Sequence, residues 1–516
     1  MTRSLHPLAL LVPFSLVAQT APAPAPADAS TVHLTLQDAI QTAIKNNLQV
    51  GIAQETRNLA KGQLLTAEGA YDWNLTGSVS TQGTKGHSEG IQKTYTPTGV
   101  VLVPYEADNT SWNRQITIGT AKAFTWGGNF SLNYNPTYFN SYNAITAAGS
   151  PTSSSYSTNT PYNGSFSATY TQHLLNGFGK ATRANLIVAR NGSKSADYQF
   201  QQSVIQLVAT IETDYWNVVY AKENLANIQE ALKLAQKQLD ENKIRVQVGT
   251  LAPIEITQAE AQVALQEQNI ITAEAALANA KDALIRALYP LESRPAAIEA
   301  TDEPVVQPLS IDEDSAEKMA VETRPEMKAA QLTLESQQVL AEAARNRTMP
   351  TLDLSVGYIG SASNADKLAP VNTDLTGFKY PGYNIGLTFA YPILNRAARG
   401  QRMQADANLR SSELGLRDEE LQVRLDVRQA YRNLEAFSRG VAAAEKTRQY
   451  QEQALDAEQK KFENGMSTNF LVLQQQTALT NARTAEIQAK INYATGVTAL
   501  EKAMGHLLEA RNLKIQ

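Results

Sequence analysis

The chain has 516 residues, which is enough for several domains or one large duplicated domain. Its formal net charge of -5 argues against a nucleic-acid partner. The absence of cysteine excludes disulfides, thiolate metal sites, a cysteine nucleophile and a lipid-modified N-terminal cysteine. The five histidines, which lie in five separate segments without metal-ligand spacing, are His6, His33, His87, His173 and His506.

The N-terminus is typical of an exported protein. Arg3 precedes an apolar stretch from Leu5 to Val17, which predicts a signal peptide over residues 1–21. Alanine and proline alternate just after it, so residues 22–33 are expected to form an extended linker.

A helix is predicted next, followed by strands. Leu36, Ile40 and Ile44 recur at helical spacing within residues 34–69. From about residue 72 to 173, apolar residues instead alternate with small polar ones. Period two with a polar second face is typical of membrane barrel strands, with apolar side chains outward and polar ones inward. A soluble β-sandwich with one wet face also fits this alternation.

The strand region of the first half contains two further features. Residues 116–134 contain Trp126-Gly127-Gly128 between two alternating segments, which predicts an extra hairpin. The run from Pro136 to Pro161 is rich in Asn, Ser, Thr and Tyr and predicts a long exposed loop.

A very long helical hairpin is predicted over about 183–287. An apolar stripe at steps of three and four runs from Val204 to Leu239. Gly249 can adopt the positive φ that ends a helix, and Pro253 suits the first turn of the next one. Such a hairpin cannot bury its stripe alone, so it needs neighbours.

The second half repeats this plan. Laid on the first copy, Gly249 matches Gly465 and Tyr215 matches Tyr431 without a gap, which indicates internal duplication. The predicted segments are a first repeat at 34–288, a connector at 289–308, a second repeat at 309–505 and a tail at 506–516. Within the second repeat we expect strands at about 351–392, with a loop at 361–382, and then a long hairpin at about 396–504.

Together these features resemble the TolC-like outer-membrane efflux proteins, the outer membrane factor family. The resemblance is carried by the duplicated helix-strand-strand-helix-turn-helix plan, by the strand exits at 171–179 and 391–396, and by the turns at 248–250 and 464–466. It implies a mainly α fold with a membrane β region. Three chains would form a periplasmic α-barrel topped by a twelve-stranded transmembrane β-barrel in outer-membrane lipid.

The resemblance also implies a function. Family members are passive conduits, not enzymes, and use no cofactor. A periplasmic adaptor (membrane fusion) protein and an inner-membrane pump supply substrate and energy to the homotrimer. A trimeric structural or adhesive surface protein with a coiled-coil stalk is the main alternative. A periplasmic adaptor is a weaker one, because it would carry one hairpin and an anchor.

The two hairpin turns are candidate docking sites for the adaptor, because only there do the long helices reverse. A plain turn that needs glycine for its geometry explains the glycines equally well. The candidate docking residues are Val248, Gly249, Thr250, Leu251, Asn464, Gly465, Met466 and Ser467.

A constriction of the periplasmic mouth is the second site hypothesis. In the family, acidic residues soon after the second tip glycine narrow the mouth, but here the matching positions hold Leu471 and Gln474. The equivalent place after the first tip holds Glu255, with Glu260 near it. Three identical carboxylates near an axis would repel one another and attract cations. A solvated glutamate at a helix start accounts for Glu255 equally well.

Overall fold

The computed structural model describes residues 31–147, 154–157, 162–289, 295, 297–307 and 311–513. The predicted signal peptide and most of the predicted linker lie outside the described residues. The chain divides into two compact units. The hairpin unit comprises described residues within 1–50, 206–310 and 432–500, and the sheet unit those within 51–205, 311–431 and 501–516.

Helices make up most of the described chain. They are α1 (Leu36–Asn46), α2 (Leu48–Gly69), α3 (Ala184–Gln247), α4 (Ile254–Leu288), α5 (Glu313–Thr323), α6 (Pro325–Asn346), α7 (Leu368–Thr376), α8 (Arg396–Glu463), α9 (Asn469–Ala503) and α10 (Leu507–Ala510). Among the residues described, no helix combines the length and apolarity that crossing a membrane requires.

The strands of the described residues form two sheets. They are β1 (Thr31–Leu34), β2 (Asn74–Thr96), β3 (Gly99–Ala123), β4 (Gly128–Ala147), β5 (Ser154–Ser157), β6 (Tyr162–His173), β7 (Ala297–Ala300), β8 (Thr351–Asn364) and β9 (Pro381–Ala390). In the hairpin unit, β1 pairs in parallel with β7. In the sheet unit the order is β2-β3-β4-β6-β8-β9, antiparallel throughout, with β5 on β4.

The predicted helix at 34–69 and the corresponding region of the second half are each divided into two helices. The predicted helix at 34–69 is interrupted at Asn47, whose Oδ1 accepts a hydrogen bond from the Gln49 N–H (2.8 Å) and whose Nδ2 donates to the Ala287 carbonyl (2.8 Å). Arg324 interrupts the corresponding region of the second half, because the following proline disfavours helical geometry in the residue before it.

Four predicted irregular segments contain regular structure, so these predictions were wrong in part. Residues 31–33 of the predicted linker lie in β1, and the predicted connector contains β7. The predicted loop from Pro136 is strand as far as Ala147 in β4, and part of its remainder is β5. The predicted loop at 361–382 contains α7. In the three segments that contain strands, pairing with a neighbouring strand satisfies the backbone, and composition does not reveal such pairing.

A buried tyrosine connects the small parallel sheet to the first long helix. The Tyr215 hydroxyl accepts hydrogen bonds from the backbone N–H groups of Thr301 and Asp302 (both 3.1 Å) and donates to the Leu34 carbonyl (3.0 Å). The Asp302 carboxylate accepts from the N–H of Leu36 (2.6 Å), at the start of α1. Burial, with the nearby Asp302 carboxylate, raises the pKa of Tyr215, so the hydroxyl stays protonated.

We expect Tyr215→Phe to destabilise the hairpin unit. Loss of the hydroxyl leaves the partly buried Asp302 N–H without its acceptor and removes one donor to the Leu34 carbonyl, at a cost of about 1–3 kcal/mol. Thermal unfolding followed by circular dichroism should show a clearly lower Tm. Tyr220→Phe is the matched control, because Tyr220 is half-buried in the same helix and its hydroxyl has no hydrogen bond to the described residues. Equal melting of the two variants would contradict this role.

Candidate functional site

The turn between α3 and α4 ends the helix through backbone geometry. Gly249 has φ +80°, and its N–H donates to the Val246 carbonyl (3.0 Å). The Thr250 N–H reaches back to the Arg245 carbonyl (2.9 Å). This pair of bonds is a Schellman motif, which satisfies carbonyls left open at a helix end. A Cβ at Gly249 would meet open space, so glycine is needed there for its φ and not for room.

The turn between α8 and α9 has the same geometry. Gly465 has φ +73° and donates to the Phe462 carbonyl (3.1 Å), and Met466 N–H donates to the Lys461 carbonyl (2.8 Å). Asn464 adds a side-chain bond from Nδ2 to the Lys460 carbonyl (2.7 Å). The two tips predicted from the sequence are therefore the same motif made twice.

A buried polar cluster holds the two tips together. Gln238 Nε2 donates to Asn242 Oδ1 (3.0 Å) and to Asn469 Oδ1 (3.2 Å). Asn469 Nδ2 in turn donates to the Glu255 carboxylate (3.1 Å), and Asn469 is only 1% exposed. Because a buried polar group without a partner is costly, this cluster fixes how α3, α4 and α9 meet.

An arginine and an apolar cluster make a second connection. The Arg245 guanidinium donates to the Phe462 carbonyl (3.3 Å) and lies 4.5 Å from the centre of the Phe462 ring. Leu251, one of the predicted docking residues, packs on a cluster composed of Leu455, Phe462, Val472 and Leu479. The first tip therefore rests on the second hairpin, and Leu251 contributes to that packing.

Large apolar side chains are exposed at the paired tips. Val248 is 71% exposed and Met466 is 73% exposed, although both are large hydrophobic residues. Ile244, Ile254 and Phe470 nearby in the sequence are exposed as well. Exposed apolar residues gathered on a rigid surface are a common property of protein-binding sites.

The predicted constriction residues differ in their surroundings. Glu255 is partly buried, with its carboxylate bound to Asn469, whereas Glu260 and Gln474 are exposed. Leu471 is partly exposed, next to the second tip.

The sheet unit has two chemically different faces. Residues directly opposite each other on paired strands share a face. One such row consists of Leu75, Thr120, Leu132, Ala168, Tyr358 and Tyr383. The adjacent row on the other face consists of Asn74, Ala121, Ser131, Thr169, Gly357 and Asn384. The alternation seen along each strand is thus in register across these two rows.

Comparison with known proteins identifies the family. The family model described as "Outer membrane efflux protein" matches residues 140–288 and 318–506. The chain belongs to this family. This efflux-family chain is 27% identical to the outer membrane protein TolC of Escherichia coli over 330 residues, 62% of the chain and 64% of TolC. It is 24% identical to the pyoverdine export outer membrane protein OpmQ of Pseudomonas putida over 363 residues, 68% of the chain and 72% of OpmQ.

Solved structures show the same fold. The outer membrane protein VceC of Vibrio cholerae matches with a TM-score of 0.64 at 16% identity, over 91% of this chain and 96% of VceC. The CmeC outer membrane channel of Campylobacter jejuni matches with a TM-score of 0.62 at 16% identity, over 100% of this chain and 98% of CmeC. The efflux-family chain is accordingly an outer-membrane protein with a periplasmic helical part.

Sequence reasoning found the tip glycines but missed the residues that join the tips. These are Arg245, Gln238, Asn242 and Asn469. Gln238 and Asn242 are one helical turn apart, as are many solvated pairs, so their spacing alone does not mark them as buried. Gln238 follows Ala235 by three residues, at the helical spacing of the apolar stripe, and a polar residue there was the available signal.

We expect the second tip to loosen in acid. Ser467 Oγ and Lys461 Nζ (3.1 Å) donate to the Glu458 carboxylate, and these bonds lower the pKa of Glu458. Their stabilisation is complete above the unfolded carboxyl pKa of about 4.3 and is lost as pH falls through the lower folded value. Hydrogen exchange of residues 463–470, corrected for intrinsic rates, should show this loss.

The variant Glu458→Gln should weaken protection at pH 7 and remove its dependence on acid. Glu463→Gln, an exposed glutamate at the same tip, serves as the control and should behave like the unmodified protein. Identical exchange in all three proteins across the pH range would rule out a role for Glu458.

Proposed function

We propose that three copies of this chain form a passive export conduit, the outer-membrane channel of a tripartite efflux or type I secretion system. The observation that carries this proposal is the sheet, with one apolar and one polar face. Lipid can cover the first face and water can fill the space inside the second. The two outer strands, β2 and β9, have a free edge within the described residues, and membrane strands must pair at both edges.

The helices support the same assembly. The two long hairpins each carry an apolar stripe and share the same turn motif, as expected of duplicated halves. We propose that the stripes of three chains pack side by side into one periplasmic α-barrel. The closed sheet and the helical wall would each enclose water.

The paired tips are proposed to dock a periplasmic adaptor. Their exposed surface is apolar at Val248 and Met466, while the packing beneath it is fixed by Leu251 and the Asn469 cluster. A rigid apolar surface at the end of the helices suits a partner that continues the conduit toward the inner membrane, where a pump would supply the cargo.

The conduit itself is tested by extraction and conductance. We expect outer-membrane detergent extracts to contain a trimer that dissociates on heating in gel electrophoresis. The purified trimer should give discrete conductance steps in planar bilayers, because its polar face would line water. A structural or adhesive surface protein would be trimeric but would not conduct, and that result would overturn the proposal.

Adaptor docking is tested at the exposed tip side chains. Val248→Glu and Met466→Glu place charge on the apolar surface without altering the glycines that shape the turns. Each should lower drug resistance or export at least tenfold while trimers still assemble. Val248→Ile and Met466→Leu keep the surface apolar and should retain function. Full function in both glutamate variants would exclude docking at these positions.

A carboxylate constriction is proposed at Glu255, with Glu260, Leu471 and Gln474 around it. Glu255→Gln removes the charge but keeps an oxygen that can accept the hydrogen bond from Asn469. Single-channel recordings should therefore show weaker block by divalent cations and lower cation selectivity, with the trimer unchanged. Recordings that match the unmodified channel would exclude Glu255 from the constriction.

A further inference from the structure

The hairpin of β2 and β3 adds two long strands to the sheet. The family resemblance implies twelve strands for three chains, or four per chain. The described part of this chain instead has six long strands in one continuous sheet, of which β2 has 23 residues and β3 has 25. The question is whether these two strands belong to the membrane wall.

The ladder between β3 and β4 makes the hairpin part of the sheet. Pairing runs from Ala123 opposite Asn129 to Tyr105 opposite Ala147, interrupted only near Ile116. One end of each of the six strands lies at the same edge of the sheet: β2, β4 and β8 begin there, and β3, β6 and β9 end there. Removing the hairpin from the wall would break this ladder and expose its backbone groups, which lipid cannot satisfy.

The hairpin carries the same apolar band as the other strands. Leu75 and Val79 lie on the apolar face of β2, and Val79 is 80% exposed. On that same face, further from the sheet's helical edge, His87 Nδ1 lies 2.7 Å from an oxygen of Asp108. On β2, residues 75–84 carry no charge before Lys85 is reached, which is about the 9–11 residues that a tilted strand needs to cross a bilayer. On β3, Arg114 lies on this face opposite Thr81, with its guanidinium 6.0 Å from the centre of the Tyr138 ring.

Ring closure through these strands is geometrically consistent. Six strands of alternating direction place β2 of one copy antiparallel to β9 of the next. If the first residue of β2, Asn74, lies opposite the last residue of β9, Ala390, then Leu75 pairs with Phe389 and Val79 with Ile385. The apolar faces of the two strands then coincide. Within one chain the row from Leu75 ends at Tyr383, six residues from Phe389. An offset of six residues over six strand spacings tilts the strands by roughly 35° from the barrel axis, as in known membrane barrels.

We propose that the barrel of the assembled trimer has eighteen strands, with β2 of each copy paired to β9 of the next copy. This inference rests on the trimeric conduit proposed above. Because barrel diameter grows about linearly with strand number, the pore would be roughly half again as wide as a twelve-stranded one. The interface would be an edge-to-edge ladder between copies of this chain, and bulkier cargo could pass the outer membrane.

Cysteine cross-linking tests the closure directly, because the chain has no cysteine of its own. Val79→Cys is combined in turn with Tyr383→Cys, Ile385→Cys and Leu387→Cys, which also covers a register shift of two residues. Oxidation of outer membranes should link subunits into a covalent trimer, most strongly with Ile385→Cys. The matched control pair is Leu132→Cys with Leu387→Cys. It would be linked only if β4 of one copy paired with β9 of the next, so it should give no link.

The opposite pattern, links from Leu132→Cys and none from Val79→Cys, would overturn the eighteen-stranded barrel and place the hairpin outside the wall. No link from either pair in an intact, heat-sensitive trimer would also overturn it, while leaving the conduit in place. A protein that is monomeric in these extracts would overturn both proposals.

A deletion variant provides a second test of the proposal. Removing residues 74–123 joins Trp73 to Phe124 next to β4, where the Trp73 ring already contacts the Phe130 ring at 5.9 Å between centres. β4 then becomes the free edge. The Leu132→Cys and Leu387→Cys pair should change from unlinked to linked in trimers of this variant. Linking of that pair before the deletion would contradict the proposal.

Discussion

Strand register is the constraint on which the rest of the sheet unit depends. A shift of one residue in any ladder would move a whole strand's apolar side chains to the polar face. The observed pairing keeps Leu75, Leu132 and Tyr383 in one row and Asn74, Ser131 and Asn384 in the next. A face suited to lipid and a face suited to water arise only because the successive ladders agree.

The helical hairpins depend on a different constraint, the hydrogen bonding of the backbone at the helix ends. Each long helix can reverse only if its last carbonyls find partners, and the Schellman motif supplies them at Gly249 and Gly465. The glycines therefore report on backbone geometry and carry no information about binding. What distinguishes the tips is the side chains around them, with Asn469 and Arg245 below and Val248 and Met466 above.

Strong periodicity made much of the fold predictable. The stripe from Val204 and the alternation from Leu75 specified long helices and strands, and the tip glycines marked where the helices end. The segment after Pro136 was misread because Asn, Ser and Thr favour loops, although a neighbouring strand can hold them in a ladder. The strands β1 and β7 have only four residues each, which is too short to show a periodic pattern. Their pairing also joins segments that are separated by most of the first half, so neither segment indicates the other. In the candidate site, the cluster around Asn469 escaped prediction for a similar reason, because burial of a polar side chain depends on which helices meet.

The bonds around Tyr215 have a consequence for the order in which the polypeptide organises itself. Leu34 and Leu36 emerge early during synthesis, yet their respective partners Thr301 and Asp302 come more than 260 residues later. The early segment must therefore wait until the whole first half has been translocated before its small sheet can form. Contacts of such long sequence separation slow folding. The unit that contains the two hairpin turns is thus completed late, after the helices α3 and α4 have been synthesised.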